Sequence, residues 1–173
     1  MYKNPMTDTI KSASPAATLR PLLGGASSCA VVFNALSEVS RAFATDLWCI
    51  LKPYGIPVSL AGLDKKKSGL PVLDILYTPV TSQDYTLLRQ LKAQGKIGDF
   101  LAGEYDLLID ASLTDSWKVE KLLRKIRAHF RVGINKTSDS FDFCFSLSET
   151  LPPQAWAFAD MLACLEKIDP RSL

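Results

Sequence analysis

The chain has 173 residues, of which 47% are hydrophobic and 22% charged, and its net charge at pH 7 is +2. These values are typical of an ordinary globular protein of about one domain. The near-neutral charge argues against binding to nucleic acid or an anionic membrane through a strong overall field. No stretch reaches the ~18 consecutive apolar residues of a transmembrane helix, and no signal-peptide pattern is evident. We therefore expect a cytoplasmic protein without a membrane partner.

The N-terminal segment differs in composition from the rest of the chain. Residues 1–27 contain three prolines, a Gly–Gly pair and many small polar residues. The prolines interrupt the helical pattern there. We predict an irregular N-terminal arm over residues 1–27 and a single α/β domain over residues 28–173.

From the first cysteine onwards, short apolar runs alternate with amphipathic stretches. Cys29–Asn34 is a continuous run of the kind that forms a central strand buried on both faces. A helix is predicted next, with an inner face at Leu36, Val39, Phe43, Leu47 and Ile50. Strands are predicted over residues 57–63 and 70–77, joined by a charged turn over residues 64–69.

The middle of the chain has helical spacing. The positions of Tyr85, Leu88 and Leu91 predict a helix over residues 82–94. A short helical turn is predicted over residues 97–101.

The second half begins with a strand–helix–strand unit. Residues 105–111 form a predicted strand, and residues 115–128 a helix that Asp115 or Thr114 caps. Further strands are predicted over residues 130–134 and 141–147, and a final helix over residues 154–168. Strands separated by helices indicate a three-layer, Rossmann-like α/β fold, with a mostly parallel sheet of five or six strands and helices on both faces.

The first strand lacks the glycine-rich turn that holds a nucleotide phosphate. Such a turn follows a strand and opens a helix. Gly24 and Gly25 instead precede the first predicted strand, and residues 34–38 contain no glycine. The sequence therefore argues against a dinucleotide site or a P-loop, and we expect no cofactor.

The histidine and cysteine content narrows the chemistry further. His129 is the single histidine, and Cys29, Cys49, Cys144 and Cys164 are widely spaced. Neither zinc ligation nor a serine–histidine–acid triad fits, since there is no ligand cluster and no G-x-S-x-G turn. We expect no metal, a structural or exposed histidine, and four reduced, buried thiols, which we favour over the alternative of a disulfide pair.

Asp110 is the strongest candidate for a functional side chain. It lies near the carboxyl end of the strand over residues 105–111, and ligands of open α/β sheets bind beyond the carboxyl ends of the strands. A carboxylate there can orient a hydroxyl or act as a base, and Ser112 and Asn34 are further ligand-binding candidates. The alternative, which we favour, is that Asp110 accepts hydrogen bonds from loop amides or from Ser112 and Thr114 and shapes the turn.

A basic face is predicted over residues 118–131. Its anion-binding candidates are Lys121, Arg124, Lys125 and Arg131, which are suited to RNA or phosphate. A helix with an apolar inner face must also direct its polar residues outward, so a solvated surface explains the same pattern. We favour the solvated surface over nucleic-acid binding.

Several short motifs occur in order along residues 29–168. They are a strand ending in F-N-A, then P-V-x-x-x-G-L-D-K-K, Y-D-L-L-I-D-x-S, F-R-V-G and F-D-F-x-x-S-L. In this order they resemble a domain-of-unknown-function family of Bacteroidetes-type bacteria. The resemblance implies a fold and a cytoplasmic location but no reaction, and it implies loop or strand rather than helix over residues 82–88.

A second resemblance concerns the strand–helix–strand unit. The Y-D-L-L-I-D strand, the basic helix and F-R-V-G are similar to the N-terminal half of heptosyltransferase-like glycosyltransferases. The likeness implies an acceptor-type half that lacks the nucleotide-sugar half and is inactive alone.

Three functions therefore remain. The first, favoured by the lack of a catalytic motif, is a non-catalytic binding or adaptor domain that acts with a protein partner or as a homo-oligomer. The second is a glycosyltransferase-related or other small-molecule domain that uses the crevice at Asp110. The third is an RNA- or phosphate-binding protein that uses the basic face over residues 118–131.

Overall fold

A computed structural model describes residues 25–65, 76–113, 115–137, 139–147 and 155–167. Within these ranges the elements are β1 (Cys29–Asn34), α1 (Glu38–Leu51), β2 (Val58–Leu63), β3 (Thr78–Val80), α2 (Gly95–Ala102), β4 (Glu104–Ala111), α3 (Trp117–Lys125), β5 (Arg127–Ile134), β6 (Phe143–Phe145) and α4 (Ala155–Lys167). Two 3₁₀ turns lie at Lys52–Tyr54 and Ser82–Asp84. None of the described helices has the length and apolar character needed to span a membrane.

The strands form one sheet in the order β3-β2-β1-β4-β5-β6, and every neighbouring pair is parallel. The chain builds outward from β1 to β3, returns to the centre at β4, and then builds outward on the other side. Strand order therefore reverses between β1 and β4, as in a doubly wound α/β fold. The predicted Rossmann-like fold with a mostly parallel sheet is confirmed.

Side chains alternate between the two faces of the sheet and form two cores. On one face, Val31 of β1 and Ile109 of β4 pack with α1 and α4. On the other face, Val32 and Leu108 pack with α2 and α3. Asp110 lies two residues after Leu108, so its side chain is on the α3 face of the sheet.

A buried serine from α1 joins the carboxyl ends of the two central strands. Ser40 has no exposed surface. Its Oγ accepts a hydrogen bond from the Asn34 amide at 2.8 Å and donates one to the Ala111 carbonyl at 2.7 Å. Ser40 thus occupies the point where strand order reverses, which is where doubly wound folds commonly bind ligands.

The helix predicted over residues 82–94 is wrong. The chain instead forms the 3₁₀ turn at Ser82–Asp84 and then a tight loop, closed by an antiparallel bridge between Tyr85 and Leu91. Tyr85 and Leu91 are buried, but Leu88 is 82% exposed. Tyr85, Leu88 and Leu91 therefore have helical spacing in the sequence but do not share one buried face.

The inner face of α1 differs from the predicted one at its start. Leu36 and Val39 are 52% and 47% exposed. Ser37 caps α1 by accepting a hydrogen bond from the Ser40 amide, and this start turns Ser40 rather than Val39 towards the sheet. Phe43, later in the helix, is buried as predicted.

The helix predicted over residues 115–128 is shorter in the structure. α3 starts at Trp117, and its cap is Ser116, whose Oγ accepts from the Val119 amide, rather than Asp115. The chain leaves the helix at Ile126, which is extended and buried, and the next two residues already belong to β5. The other predicted cap, Thr114, lies outside the described residues.

The third strand also differs from its prediction. β3 starts at Thr78, and neither Leu76 nor Tyr77 belongs to it. Residues 66–75, which hold most of the predicted turn and strand, lie outside the described residues. So do residues 1–24 of the predicted arm.

The cysteines are free but mostly not buried. Cys29 lies in β1 and is buried, and this burial raises the pKa of its thiol. Cys49, Cys144 and Cys164 are exposed. The prediction of buried thiols is therefore wrong for these three, because they fall on the outer faces of α1, β6 and α4.

Replacing Ser40 with alanine is expected to lower the free energy of unfolding by about 1–3 kcal/mol, because the Asn34 amide and the Ala111 carbonyl lose their shared partner. Urea unfolding followed by circular dichroism measures the loss. Thr45→Ala is the control, since Thr45 Oγ1 donates only to the Arg41 carbonyl within the same helix. Equal losses of unfolding free energy in Ser40→Ala and Thr45→Ala would contradict the role of Ser40 in joining the two central strands.

Candidate functional site

A cavity of about 340 Å³ opens where β4 and β5 end, beside the N-terminus of α3. Trp117, Leu123 and Phe141 provide apolar walls. The charged side chains of the described lining balance one another, with three carboxylates and three cations, namely Asp110, Asp115, Glu120, Arg124, Arg131 and Lys136.

The floor of this cavity is a buried ion pair. Asp110 has no exposed side-chain surface and Lys136 only 4%, and Nζ of Lys136 lies 3.4 Å from Oδ2 of Asp110. Nζ also donates to Oδ1 of the exposed Asp115 at 3.0 Å and to Oγ of Ser112 at 3.4 Å. Oδ1 of Asp110 accepts the Ser112 amide at 2.9 Å. Oδ2 of Asp110 accepts no hydrogen bond from any described residue.

Burial dominates the electrostatics of Asp110. Removal from water raises the pKa of its carboxyl group, and the charge of Lys136 and hydrogen bonds from Ser112 only partly oppose this effect. The protonated and ionised forms of Asp110 are therefore closer in free energy than those of an exposed aspartate.

A left-handed turn brings Lys136 back over the sheet. Asn135, directly after β5, has a φ of 54°, a conformation that asparagine tolerates better than most residues. Its amide donates to the Phe145 carbonyl at 2.8 Å, and its Oδ1 accepts the Leu147 amide at 2.7 Å. These bonds fix the turn, so that the next side chain, Lys136, folds inward.

Close approach at Gly133 makes room for this lysine. Gly133 is the register partner of Asp110 on β5. A Cβ atom at Gly133 would lie 2.9 Å from Cβ of Lys136 and 3.0 Å from Cδ2 of Phe141. A glycine is therefore needed for Lys136 to pass over β5 and reach Asp110.

Two of the three ligand-binding candidates predicted from the sequence lie close together in the structure. Asp110 and Ser112 share the ion-pair cluster. Asn34 lies at the end of β1, where its Oδ1 accepts the Leu36 amide at 3.1 Å and its own amide is bonded to Ser40. Asn34 thus shapes the turn after β1 and is not part of the described cavity lining.

The anion-binding candidates do not converge on one point. Arg131 donates to the Leu123 and Ile126 carbonyls at the end of α3, and Arg124 pairs with Glu120 at 2.6 Å. Both arginines line the cavity with their own partners already in place. The other two candidates, Lys121 and Lys125, are exposed on α3 outside the described lining.

Sequence reasoning missed Lys136, the partner of the buried carboxylate. The pattern G-I-N-K at the end of β5 contains the signal. It places a glycine opposite Asp110 and an asparagine at a left-handed position, and both are needed to fold Lys136 inward. Among the described residues, no group of three His, Cys, Asp or Glu side chains is placed to hold a metal ion.

The chain belongs to a family of unknown function (DUF6913), whose match covers residues 8–152. The match includes every residue of the ion-pair cluster and ends before α4. No curated protein and no solved structure matches the chain. The predicted membership of an uncharacterised family is confirmed.

The buried carboxylate predicts a pH dependence of stability. Because its pKa is raised in the folded state, the folded chain keeps the Asp110 proton at pH values where the unfolded chain has released it, and stability falls as the pH rises through this window. We expect the wild type to lose stability relative to Asp110→Asn as the pH rises from about 4 towards neutrality. Urea unfolding of both proteins at a series of pH values measures the difference.

Asp106, on the same strand, is a control of opposite sign. Hydrogen bonds from the hydroxyl and amide of Ser27 lower the pKa of Asp106. The wild type should therefore gain stability relative to Asp106→Asn as the pH rises towards about 4. A wild type that gained stability relative to Asp110→Asn as the pH rose towards about 4, and kept that gain above it, would show that the charge of Lys136, rather than burial, controls Asp110.

Proposed function

We propose that this chain is a small-molecule-binding α/β domain whose ligand occupies the cavity between α3 and β5. The observation that carries the proposal is the buried pair of Asp110 and Lys136 at the cavity floor. The volume of about 340 Å³ is within the range of small-molecule sites. The carboxyl ends of parallel strands are also where ligands of such sheets bind.

A purely structural pair is a weaker explanation of these residues. Buried ion pairs seldom stabilise a protein more than apolar side chains of the same size would. Here the pair lines a cavity, and one carboxylate oxygen has no hydrogen bond from the described residues. A bound ligand would supply that missing partner.

Binding is better supported than catalysis. Asp110 and Lys136 neutralise one another, and the described lining contains no histidine or cysteine. Ser40 occupies the crevice between β1 and β4, which in doubly wound folds often holds a nucleotide. The likeness to glycosyltransferases and the cytoplasmic location stay predictions from the sequence; a glycosyltransferase-related domain would use this same cavity.

A thermal-shift screen tests the proposal directly. The panel contains nucleotides, nucleotide sugars, sugar phosphates, neutral sugars and short RNAs, and a compound that binds only the folded state raises Tm by mass action. We expect a rise for at least one small molecule that is lost in Asp110→Asn and in Lys136→Met. Lys125→Met, outside the described lining, should keep the rise.

Two other results would change the proposal. A shift given by RNA and lost in Lys125→Met would point to the basic face of α3 instead. No shift by any compound on the panel would overturn the small-molecule function.

A second candidate, an adaptor for another protein, is favoured by a rigid loop with two exposed leucines. Leu87 and Leu88 are 104% and 82% exposed. The Thr86 amide donates to the Gln90 carbonyl at 2.8 Å, and the Arg89 amide donates to the Thr86 carbonyl at 2.9 Å. These bonds hold the leucines in water, where apolar side chains are unfavourable unless a partner covers them.

The charge of this loop indicates the kind of partner. Arg89 and Lys92 follow the two leucines in the chain and are exposed. A protein with an apolar pocket bordered by carboxylates would complement both features.

Replacing Leu87 and Leu88 with serine is expected to abolish binding of such a partner without lowering Tm, since neither side chain is buried. Leu36→Ser is the control, because Leu36 is an exposed leucine outside the loop. Cross-linking of the wild type in cells, followed by mass spectrometry, measures capture. A partner retained by the double variant, or one captured equally well at high salt, would contradict the adaptor function.

A further inference from the structure

We infer that the ligand of the cavity is a neutral, hydroxyl-rich molecule of the sugar or polyol type, rather than a phosphate or another anion. This inference rests on the proposed small-molecule function and adds the chemistry of the ligand. It follows from the buried acceptor on Asp110 and from the charge balance of the described cavity residues.

The unused group at the cavity floor is an acceptor. Asp110 lines the cavity, and its Oδ2 is buried and accepts no hydrogen bond from the described residues. Nζ of Lys136 forms an ion pair with this oxygen at 3.4 Å and donates a shorter hydrogen bond, of 3.0 Å, to Oδ1 of Asp115. A buried carboxylate oxygen is unfavourable without a donor. A ligand hydroxyl is a donor that brings no additional charge.

The cations around the cavity already have partners. The guanidinium of Arg131 donates to the Leu123 carbonyl at 3.0 Å and to the Ile126 carbonyl at 2.7 Å. Arg124 pairs with Glu120, and Lys136 with two aspartates. A phosphate would compete with these partners and would place further negative charge next to a buried carboxylate.

The charge balance argues against a cationic ligand as well. The described carboxylates and cations of the lining are equal in number, so an ammonium group would leave an excess positive charge next to Lys136. Trp117 and Phe141 offer apolar walls for the C–H faces of a ring compound. A neutral ligand with donors at one edge and an apolar face fits all these features.

The test compares matched neutral and phosphorylated probes on the full chain. Glucose, mannose and myo-inositol are each titrated beside glucose 6-phosphate, mannose 6-phosphate and inositol monophosphate. The readout is the fluorescence of Trp117 in a chain that carries Trp48→Phe and Trp156→Phe. We expect a neutral probe to bind saturably and at least about tenfold more tightly than its phosphate, since the phosphate places negative charge next to the buried Asp110.

Variants on one strand locate the site. Asp110→Asn should weaken binding of the neutral probe about tenfold or more, because the charged acceptor is lost. Asp106→Asn, at the other end of β4, should leave it unchanged. The comparison of each probe with its phosphate needs only the unaltered site, so it decides the inference even where Asp110→Asn does not fold.

The remaining outcomes separate the two proposals. Tighter binding of the phosphates, lost in Lys136→Met, would overturn the neutral-ligand inference and leave the small-molecule function standing. Failure of all six probes and of the thermal-shift panel would overturn both. Binding that is equal in Asp110→Asn and in the unaltered chain would place the sugar outside this cavity and overturn the inference.

Discussion

Two opposite charges lie away from water at the end of β4, and the neighbouring segments are arranged to keep them together. Each charge would be strongly unfavourable there alone, because neither pairing nor hydration would offset its burial. Gly133 leaves room for the lysine stem, Asn135 turns the chain inward, and the Ser112 amide holds one carboxylate oxygen. The loss of any one of these supports would therefore weaken the pair between Asp110 and Lys136.

The cavity does not lie at the centre of the sheet, where Ser40 bonds to both central strands. In many doubly wound folds, the crevice where strand order reverses is open to a ligand. In this chain Ser40 fills the crevice with two short hydrogen bonds, to Asn34 and Ala111. The open space lies one strand further on, between β4 and β5, where α3 begins. The described cavity thus lies at a different pair of strands from the crevice that binds the ligand in many such folds.

The sequence predicted the parts of the structure that depend on local pattern. Buried apolar runs located β1 and β4, and with them Asp110, because a strand covered on both faces tolerates few polar residues. The helix prediction over residues 82–94 is wrong because helical spacing cannot distinguish a buried leucine from an exposed one, and Leu88 is exposed. Lys136 was missed because its burial depends on the conformation of Asn135 and on a contact across strands, and the local pattern G-I-N-K does not identify Asp110 as the partner.

The outermost strands of the sheet bear on how the protein can associate. An edge strand presents unpaired amides and carbonyls that can template the addition of another chain. Here both edges are three residues long, at Thr78–Val80 and Phe143–Phe145, and Pro79 has no amide hydrogen to donate. These two short outer strands therefore offer little surface for strand-to-strand growth or for capture of an extended peptide. Contacts through side chains on the helices and loops are the alternative to pairing at these two strands.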